Sequence, residues 1–154
     1  MDNTEEVLIE QLVVFKLDEQ NFAFNIASVH EIIRMEYITS VPRTPPFLKG
    51  VINLRGRIVP VIDLKKRFSL DRETEVTGET RIVIVDAEKD IVGVIVDAVT
   101  EVLSLSRSDI EPTPPAVEDV DAAFIRGVGK VDERLIMLLD EKNVFGVLEK
   151  SNIA

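Results

Sequence analysis

The chain contains an internal duplication, which constrains its architecture more than any other feature. Residues 48–68 align without a gap on residues 125–145 at an offset of 77, and residues 12–33 align on residues 82–103 at an offset of 70. The change of offset corresponds to one seven-residue insertion near residues 116–124. Two copies are too few to stack as a solenoid. The duplication therefore predicts two similar small units packed as a pair.

Residues that are identical at matched positions of the two copies indicate the shared scaffold. Glu31 falls on Glu101 in the first aligned stretch. The matches in the second stretch are Gly50 with Gly127, Arg57 with Arg134, Asp63 with Asp140, Lys65 with Lys142 and Phe68 with Phe145. We expect these residues to hold equivalent places in the two units.

Each unit begins with apolar residues on either side of a short polar turn, which is typical of a β-hairpin. The first hairpin pairs residues 11–17 with 22–26, and the second pairs residues 80–86 with 91–96. Since these runs are nearly continuous in apolar residues, both faces of the strands are expected to be covered. The apolar spacing then changes, and the sequence leaves open whether one or two helical turns or a bent strand follows each hairpin.

A further strand pair follows in each unit, after a stretch interrupted by prolines. It joins residues 49–54 with 57–64 in the first unit and residues 126–131 with 134–140 in the second. Pro60 lies within residues 57–64, the second strand of this pair in the first unit. Because proline has no N–H to donate, that strand is expected at a sheet edge or with a bulge.

These elements predict an all-β protein with short helices, in which two small β-barrels of about five strands each lie side by side. The first unit covers residues 11–68 and the second 80–148, with a polar linker at 69–79. An acidic tail (1–10) and residues 151–154 flank them. Because barrels of this size are filled by side chains, a binding site is expected in the seam between the units.

The charge and composition exclude several classes of function. The 28 acidic and 18 basic residues give a formal charge of −10, which argues against binding to nucleic acid or anionic lipid. The absence of cysteine excludes disulfides and thiolate metal sites. Without a signal peptide or a long apolar run, we expect a cytoplasmic protein with no direct membrane insertion.

Motifs of catalysis are also missing from the sequence. The glycine segments at 50–56 and 127–130 fit neither phosphate-binding loop pattern, and the single histidine, His30, has no partner at metal or triad spacing. We therefore predict no cofactor and no metal. Asp63 and Asp140 are expected to cap the turns that follow them. The alternative is a small acidic hydrolase that uses these two carboxylates.

The sequence Asn-Leu-Arg-Gly at 53–56 predicts a tight hairpin turn. The turn does not require Arg55, whose counterpart in the second copy is Asp132, of opposite charge. A divergent tip on a duplicated scaffold indicates either a site on one copy or drift at a solvated loop. The residues alone leave both interpretations open.

The chain resembles the CheW family of chemotaxis coupling proteins from about residue 12 to residue 148. The most specific segment is VPRTPPFLKGVINLRGRIVPVIDL, with further matches in FAFNIASVHEII and VGVIVDAVTEVLSL. The resemblance implies a CheW-like domain over residues 11–150, built from two SH3-like five-stranded barrels about a pseudo-two-fold axis. It also implies an adaptor without catalysis that couples methyl-accepting chemoreceptors to the regulatory domain of the histidine kinase CheA. The alternative is a regulator of another receptor-like array, in a motility or developmental pathway.

The resemblance further implies where the partners bind. The helical tip of a receptor would lie in a groove between the barrels, at receptor arrays on the inner face of the membrane. The matched receptor-binding positions are Val13, Ile26, Val29, Glu31, Ile32, Asn53, Leu54, Arg55, Val99 and Val102. Gly50 matches a position associated with kinase or receptor coupling, where a side chain would disturb the turn.

Overall fold

Two β-sheets dominate the computed structural model, which describes residues 8–68, 74–87, 90–113 and 123–150. The strands in chain order are β1 (Ile9–Leu17), β2 (Gln20–Asn25), β3 (Val29–Arg34), β4 (Leu48–Leu54), β5 (Arg57–Asp63), β6 (Arg81–Asp86), β7 (Ile91–Val96), β8 (Ala98–Ser106), β9 (Ile110–Glu111), β10 (Ile125–Val131) and β11 (Arg134–Leu139). The helices are α1 (Leu64–Arg67) and α2 (Glu141–Lys150). Short 3₁₀ turns lie at Ile26–Ser28 and Arg107–Asp109. Residues 116–122 of the predicted insertion and residues 69–73 of the predicted linker lie outside the described residues.

The strand order exchanges one hairpin between the two halves of the chain. One sheet has the order β3-β6-β7-β5-β4, and the other has the order β8-β1-β2-β11-β10-β9. The repeat relates the two orders strand by strand, with β9 as the additional strand of the six-stranded sheet. The predicted pair of β-rich units about a pseudo-two-fold axis is therefore confirmed. The assignment of one barrel to residues 11–68 and the other to 80–148 needs correction, because each sheet contains a hairpin from the other half.

Two parallel strand pairings produce this exchange. β5 pairs with β7 from Val61↔Gly93 to Asp63↔Ile95. β11 pairs with β2 in the equivalent way, from Ile136↔Asn21 to Leu138↔Ala23. Each hairpin thereby lies at the centre of a sheet. That position suits strands that are apolar on both faces, since central strands are covered on both sides.

Three apolar clusters account for this double coverage. One lies inside the five-stranded sheet and another inside the six-stranded sheet, and the third lies between the two sheets. Along β6, Ile82 and Ile84 belong to the interior of the five-stranded barrel, whereas Val83 and Val85 belong to the core shared by both sheets. The prediction that both strand faces are buried is confirmed.

Pro60 lies in a strand that has neighbours on both sides. It faces Val51 of β4, one residue before the segment at which β5 begins to pair with β7. The missing N–H therefore falls outside the parallel pairing. β4 carries a register irregularity between Leu48 and Gly50. The expectation that the strand of Pro60 lies at a sheet edge is wrong, since β5 lies between β7 and β4. The irregularity in this strand pair lies in β4 and not at Pro60.

The two matched aspartates cap the helices. Asp63 Oδ1 accepts the Lys65 N–H at 3.1 Å, and its Oδ2 accepts the Thr74 N–H at 3.0 Å. Asp140 Oδ1 accepts the Lys142 N–H at 3.0 Å. Both carboxylates thus satisfy backbone donors at helix starts that lack a partner within the helix. The capping prediction is confirmed for both residues.

Candidate binding groove

A groove runs along the seam between the two sheets. It consists of two adjoining cavities of about 410 and 500 Å³. Residues of both sheets line it, and Lys16, Glu79 and Ala98 belong to both cavities. The groove therefore lies in the region where the sequence predicts a binding surface.

The edge strands β3 and β8 flank this seam and are equivalent in the repeat. Val29 and its counterpart Val99 are both half-buried and pack against the core shared by the two sheets. Ile32 and its counterpart Val102 are 40% and 55% exposed. Exposed apolar side chains on an edge strand offer a partner both surface to bury and unpaired backbone groups.

The structure brings several of the predicted receptor-binding residues to this seam. Ile32 and Val99 line the smaller cavity directly. Val29, Glu31 and Val102 lie on the same two edge strands. Ile26 is 38% exposed in the turn that precedes β3. These positions lie along β3 and along β8, its counterpart in the repeat.

Val13 and Leu54 do not belong to an accessible surface. Val13 is 2% exposed, because β1 lies between β2 and β8 with both faces covered. Leu54 is 7% exposed and belongs to the interior of the five-stranded barrel. Successive side chains of a strand point to opposite faces, so Asn53 points outward and Leu54 inward. Burial therefore leaves neither Val13 nor Leu54 available for the direct contact that the sequence predicts.

Arg55 and Glu31 form an ion pair between the β4–β5 turn and β3. Arg55 and Gly56 are the two turn residues and have φ values of 51° and 91°. The Gly56 N–H donates to Asn53 Oδ1 at 2.8 Å, which fixes the turn. Arg55 Nη2 then donates to Glu31 Oε2. Since β3 and β4 are the outer strands of the five-stranded sheet, this contact shows that the sheet curls until its edges approach each other.

The ion pair also affects the charge of the site. The hydrogen bond from Arg55 lowers the pKa of Glu31 below its ordinary value and thereby favours the ionised carboxylate. The Arg55 side chain is 70% exposed, and that of Glu31 is 27% exposed. The guanidinium therefore keeps donors for a second acceptor while it remains paired to Glu31.

In the six-stranded barrel, the corresponding glutamate pairs with an arginine from a different position of the repeat. Glu101, the counterpart of Glu31, accepts from Arg134 Nη1 at 2.8 Å, and Arg134 is the counterpart of Arg57. Asp132 occupies the turn position of Arg55 with a φ of 55°. Both barrels thus retain an arginine–glutamate pair at this edge. Only the first barrel presents a guanidinium at the tip of the turn.

Gly50 is buried and contacts the connection between β3 and β4. Its φ is +152°, and an added Cβ would lie 2.1 Å from the backbone oxygen of Thr39. Thr39 forms two backbone hydrogen bonds with Val51, at 2.9 and 2.8 Å. Any side chain at Gly50 would separate this bridge from β4. The effect of Gly50 on a partner would therefore act through the connection, since the residue has no exposed side chain to offer.

Sequence reasoning missed the polar residues of the groove. Lys16, Glu79, Arg81 and Thr100 line the smaller cavity together with Ile32 and Val99. Lys16 lies within the apolar run of the first hairpin, and Glu79 ends the linker. The charge of Lys16 and Glu79 within or next to buried strands could have indicated the groove. A charged residue in such a run has to reach solvent or a partner.

Comparison with known proteins identifies the family of this fold and groove. Residues 11–149 match the family model described as a CheW-like domain. The chain belongs to the CheW family. The chemotaxis protein CheW of Bacillus subtilis (strain 168) is 39% identical over 136 residues, which cover 88% of this chain and 86% of that protein. The probable chemotaxis protein CheW of Rhizobium etli is 34% identical over 139 residues, which cover 90% and 89%.

A solved CheW structure extends the similarity to three dimensions. The crystal structure of the scaffolding protein TtCheW from Thermoanaerobacter tengcongensis aligns with a TM-score of 0.82 and 39% identity, and it covers 94% of this chain and 93% of that chain. The CheW-like fold predicted from the sequence is thereby confirmed. The chain is a coupling adaptor of the CheW type in chemotaxis. No helix within the described ranges has the length and apolar character needed to cross a membrane.

Proposed function

We propose that this CheW-family chain couples methyl-accepting chemoreceptors to the histidine kinase CheA, without catalysis of its own. The observation that carries the proposal is the groove between the sheets, flanked by the apolar edges of β3 and β8. Its place of action is the cytoplasm, at receptor arrays on the inner face of the membrane.

The receptor tip is a helical hairpin, and a helix suits this groove. Apolar side chains such as Ile32 and Val102, exposed by 40% and 55%, supply surface that is buried on binding. The Arg55 guanidinium at the rim sets the register, because it can donate to a carboxylate or an amide of the helix. Glu31 holds that guanidinium close to the β3 edge.

The kinase regulatory domain binds a second surface in this proposal. The connection between β3 and β4 is one part of this second surface. Its residue Thr39 lies directly against Gly50 of β4, which only a residue without a side chain permits. Receptor and kinase would then occupy different surfaces, and β4 would join the connection to the Arg55 turn at the rim of the groove. An adaptor requires such separate surfaces if it is to hold both partners at once.

An NMR titration of isotopically labelled protein tests the proposal. A receptor-tip fragment is expected to shift amide signals of Ile32, Arg55, Val99 and Val102, and the kinase regulatory domain is expected to shift a second, separate set. Competition of the two partners for one set of signals would contradict the adaptor proposal. So would a receptor fragment that leaves all signals of the folded protein unchanged.

A further inference from the structure

A buried lysine lies at the deep end of the seam. The side chain of Lys65 is 6% exposed, and its Nζ lies 2.9 Å from Asp18 Oδ1 and 3.0 Å from Asp97 Oδ2. The Asp18 N–H also donates to Asp97 Oδ2 at 2.7 Å. A buried ammonium is stable in a folded protein when it is paired and hydrogen-bonded. These contacts make a closed triad of Lys65, Asp18 and Asp97.

The triad joins elements of both sheets. Lys65 lies in α1, which continues from β5 of the five-stranded sheet, and its backbone is held by Asp63. Asp18 lies in the β1–β2 turn of the six-stranded sheet. Asp97 is the residue at which the chain passes from β7 in one sheet to β8 in the other, and its N–H donates to the Lys16 carbonyl at 3.0 Å. The triad thus fixes both sheets to the same point.

The duplication does not repeat this arrangement. Lys142, the counterpart of Lys65, is exposed. The counterpart of Asp97 is Ala27, which has no carboxylate. The equivalent residues therefore cannot form the same triad on the other side of the pseudo-two-fold axis. A buried ionic group confined to one copy indicates a role beyond the common scaffold.

The triad lies at one end of the groove. Asp18, Lys65 and Asp97 line the larger cavity, and the residues that directly follow Asp97, Ala98 and Val99, line the smaller one. A displacement of Asp97 would move the start of β8, and Val99 with it. The position of this wall relative to Ile32 sets the width available to a helix.

We propose that Lys65 is a positioning residue for receptor docking, because it holds Asp18 and Asp97 together and thereby sets the position of the β8 wall of the groove. The inference rests on the proposed function, since it names a residue that acts on the same groove. Lys65 itself does not contact the receptor helix in this proposal.

The variant Lys65→Met tests the inference, with Lys142→Met as the matched control. Methionine keeps much of the length of the side chain but removes the ammonium, which leaves Asp18 and Asp97 as like charges. We expect the affinity for a receptor-tip fragment, measured by isothermal titration calorimetry well below the unfolding transition, to fall roughly threefold to thirtyfold. The control is expected to bind like the wild type. In the free protein, the amide signals of Ala98, Val99 and Thr100 should shift in Lys65→Met only.

The outcomes separate this inference from the proposed function. If the wild type does not bind the receptor fragment, the proposed function fails. If the wild type and folded Lys65→Met bind equally well, only the positioning role is overturned, and a lowered thermal midpoint alone would then assign Lys65 to stability. Should Lys65→Met not fold, Asp97→Asn replaces it, because the amide weakens the ion pair but still offers an oxygen to the Asp18 N–H. Wild-type affinity of Asp97→Asn would equally overturn the inference.

Discussion

Arg55 and Glu31 show how far single residues of the site follow from the sequence. The sequence indicates Arg55 because its counterpart Asp132 differs in charge, and the family resemblance indicates Glu31. Their contact with each other was not predictable, since they are 24 positions apart and belong to the opposite edges of one sheet. Only the closure of the sheet brings them together.

Replacement of Arg55 by glutamate is expected to abolish most receptor binding and leave the fold intact. The change places a carboxylate opposite Glu31 and removes the donors at the rim. The thermal midpoint should change little, because exposed ion pairs contribute little to stability. Pull-down with a receptor-tip fragment and thermal unfolding followed by circular dichroism check the two parts of this prediction.

The duplication supplies a matched control for this substitution. Arg134→Glu makes the same charge reversal in the equivalent ion pair of the second barrel, with Glu101. It should retain receptor binding if Arg55 acts as a recognition residue at its own rim. Equal losses in the two variants would instead assign the effect of Arg55→Glu to net charge.

Neighbouring positions of β3 are expected to respond differently to aspartate. Ile32→Asp should fold normally and lose receptor affinity, because Ile32 is 40% exposed at the groove. Val29→Asp should lower the free energy of unfolding by about 1–3 kcal/mol, since it introduces a charge beside the shared core without a partner. Urea unfolding and receptor titration of both variants distinguish these effects. A fully stable Val29→Asp would show that Val29 faces the groove and not the core.

At the scale of elements, the sequence predicts which strands form hairpins better than it predicts how the hairpins pair with one another. The turns at Asp18 and between Leu54 and Arg57 join strands that are adjacent in the chain, so local patterns suffice to find them. The parallel contact of β5 with β7 joins Val61 to Gly93 across the linker. Both hairpins of the duplication are apolar on both faces. This pattern fits barrels built from one half of the chain as well as barrels with exchanged hairpins. No local feature of the sequence therefore indicates the exchange.

The crossing of the β3–β4 connection over β4 leads to a prediction for Gly50. Gly50→Ala is expected to lower the free energy of unfolding by roughly 1–3 kcal/mol, because the new Cβ would overlap a backbone oxygen that cannot move as a flexible side chain does. Its counterpart Gly127 is the control. A Cβ there would first meet the Ile110 side chain at 3.0 Å and the Glu111 oxygen at 3.1 Å, which is a milder contact.

Denaturant unfolding of the two alanine variants measures the difference. Gly50→Ala should be the less stable of the two, and its amide signals should change at Thr39 and Val51, where the backbone bridge forms. Equal stability of the variants would contradict the role given to this close approach. Kinase binding of Gly50→Ala then reports on the connection itself, since a buried Gly50 has no other route to a partner.

At the scale of the whole molecule, the two barrels share one core. The core between the sheets contains Phe15 and Phe24 from the first half of the chain and Val94 and Phe145 from the second. The exchanged hairpins add a backbone connection between the halves, because each sheet includes strands of both. Neither half can bury its central strands without the other. The groove exists only when both halves are in place, since its walls belong to different sheets.

Separation of the halves tests this interdependence. We expect fragments 1–70 and 74–154, expressed apart, to lack the dispersed amide spectrum of the intact protein as monomers, because each lacks a hairpin at the centre of its sheet. Mixed in equal amounts, they should associate and regain that spectrum, since the missing hairpins are then supplied in trans. A fragment that folds alone as a monomer would show that one half suffices for a barrel, and would contradict the dependence on exchange. Receptor binding by the mixture, and by neither fragment alone, would establish that the groove is a property of the pair.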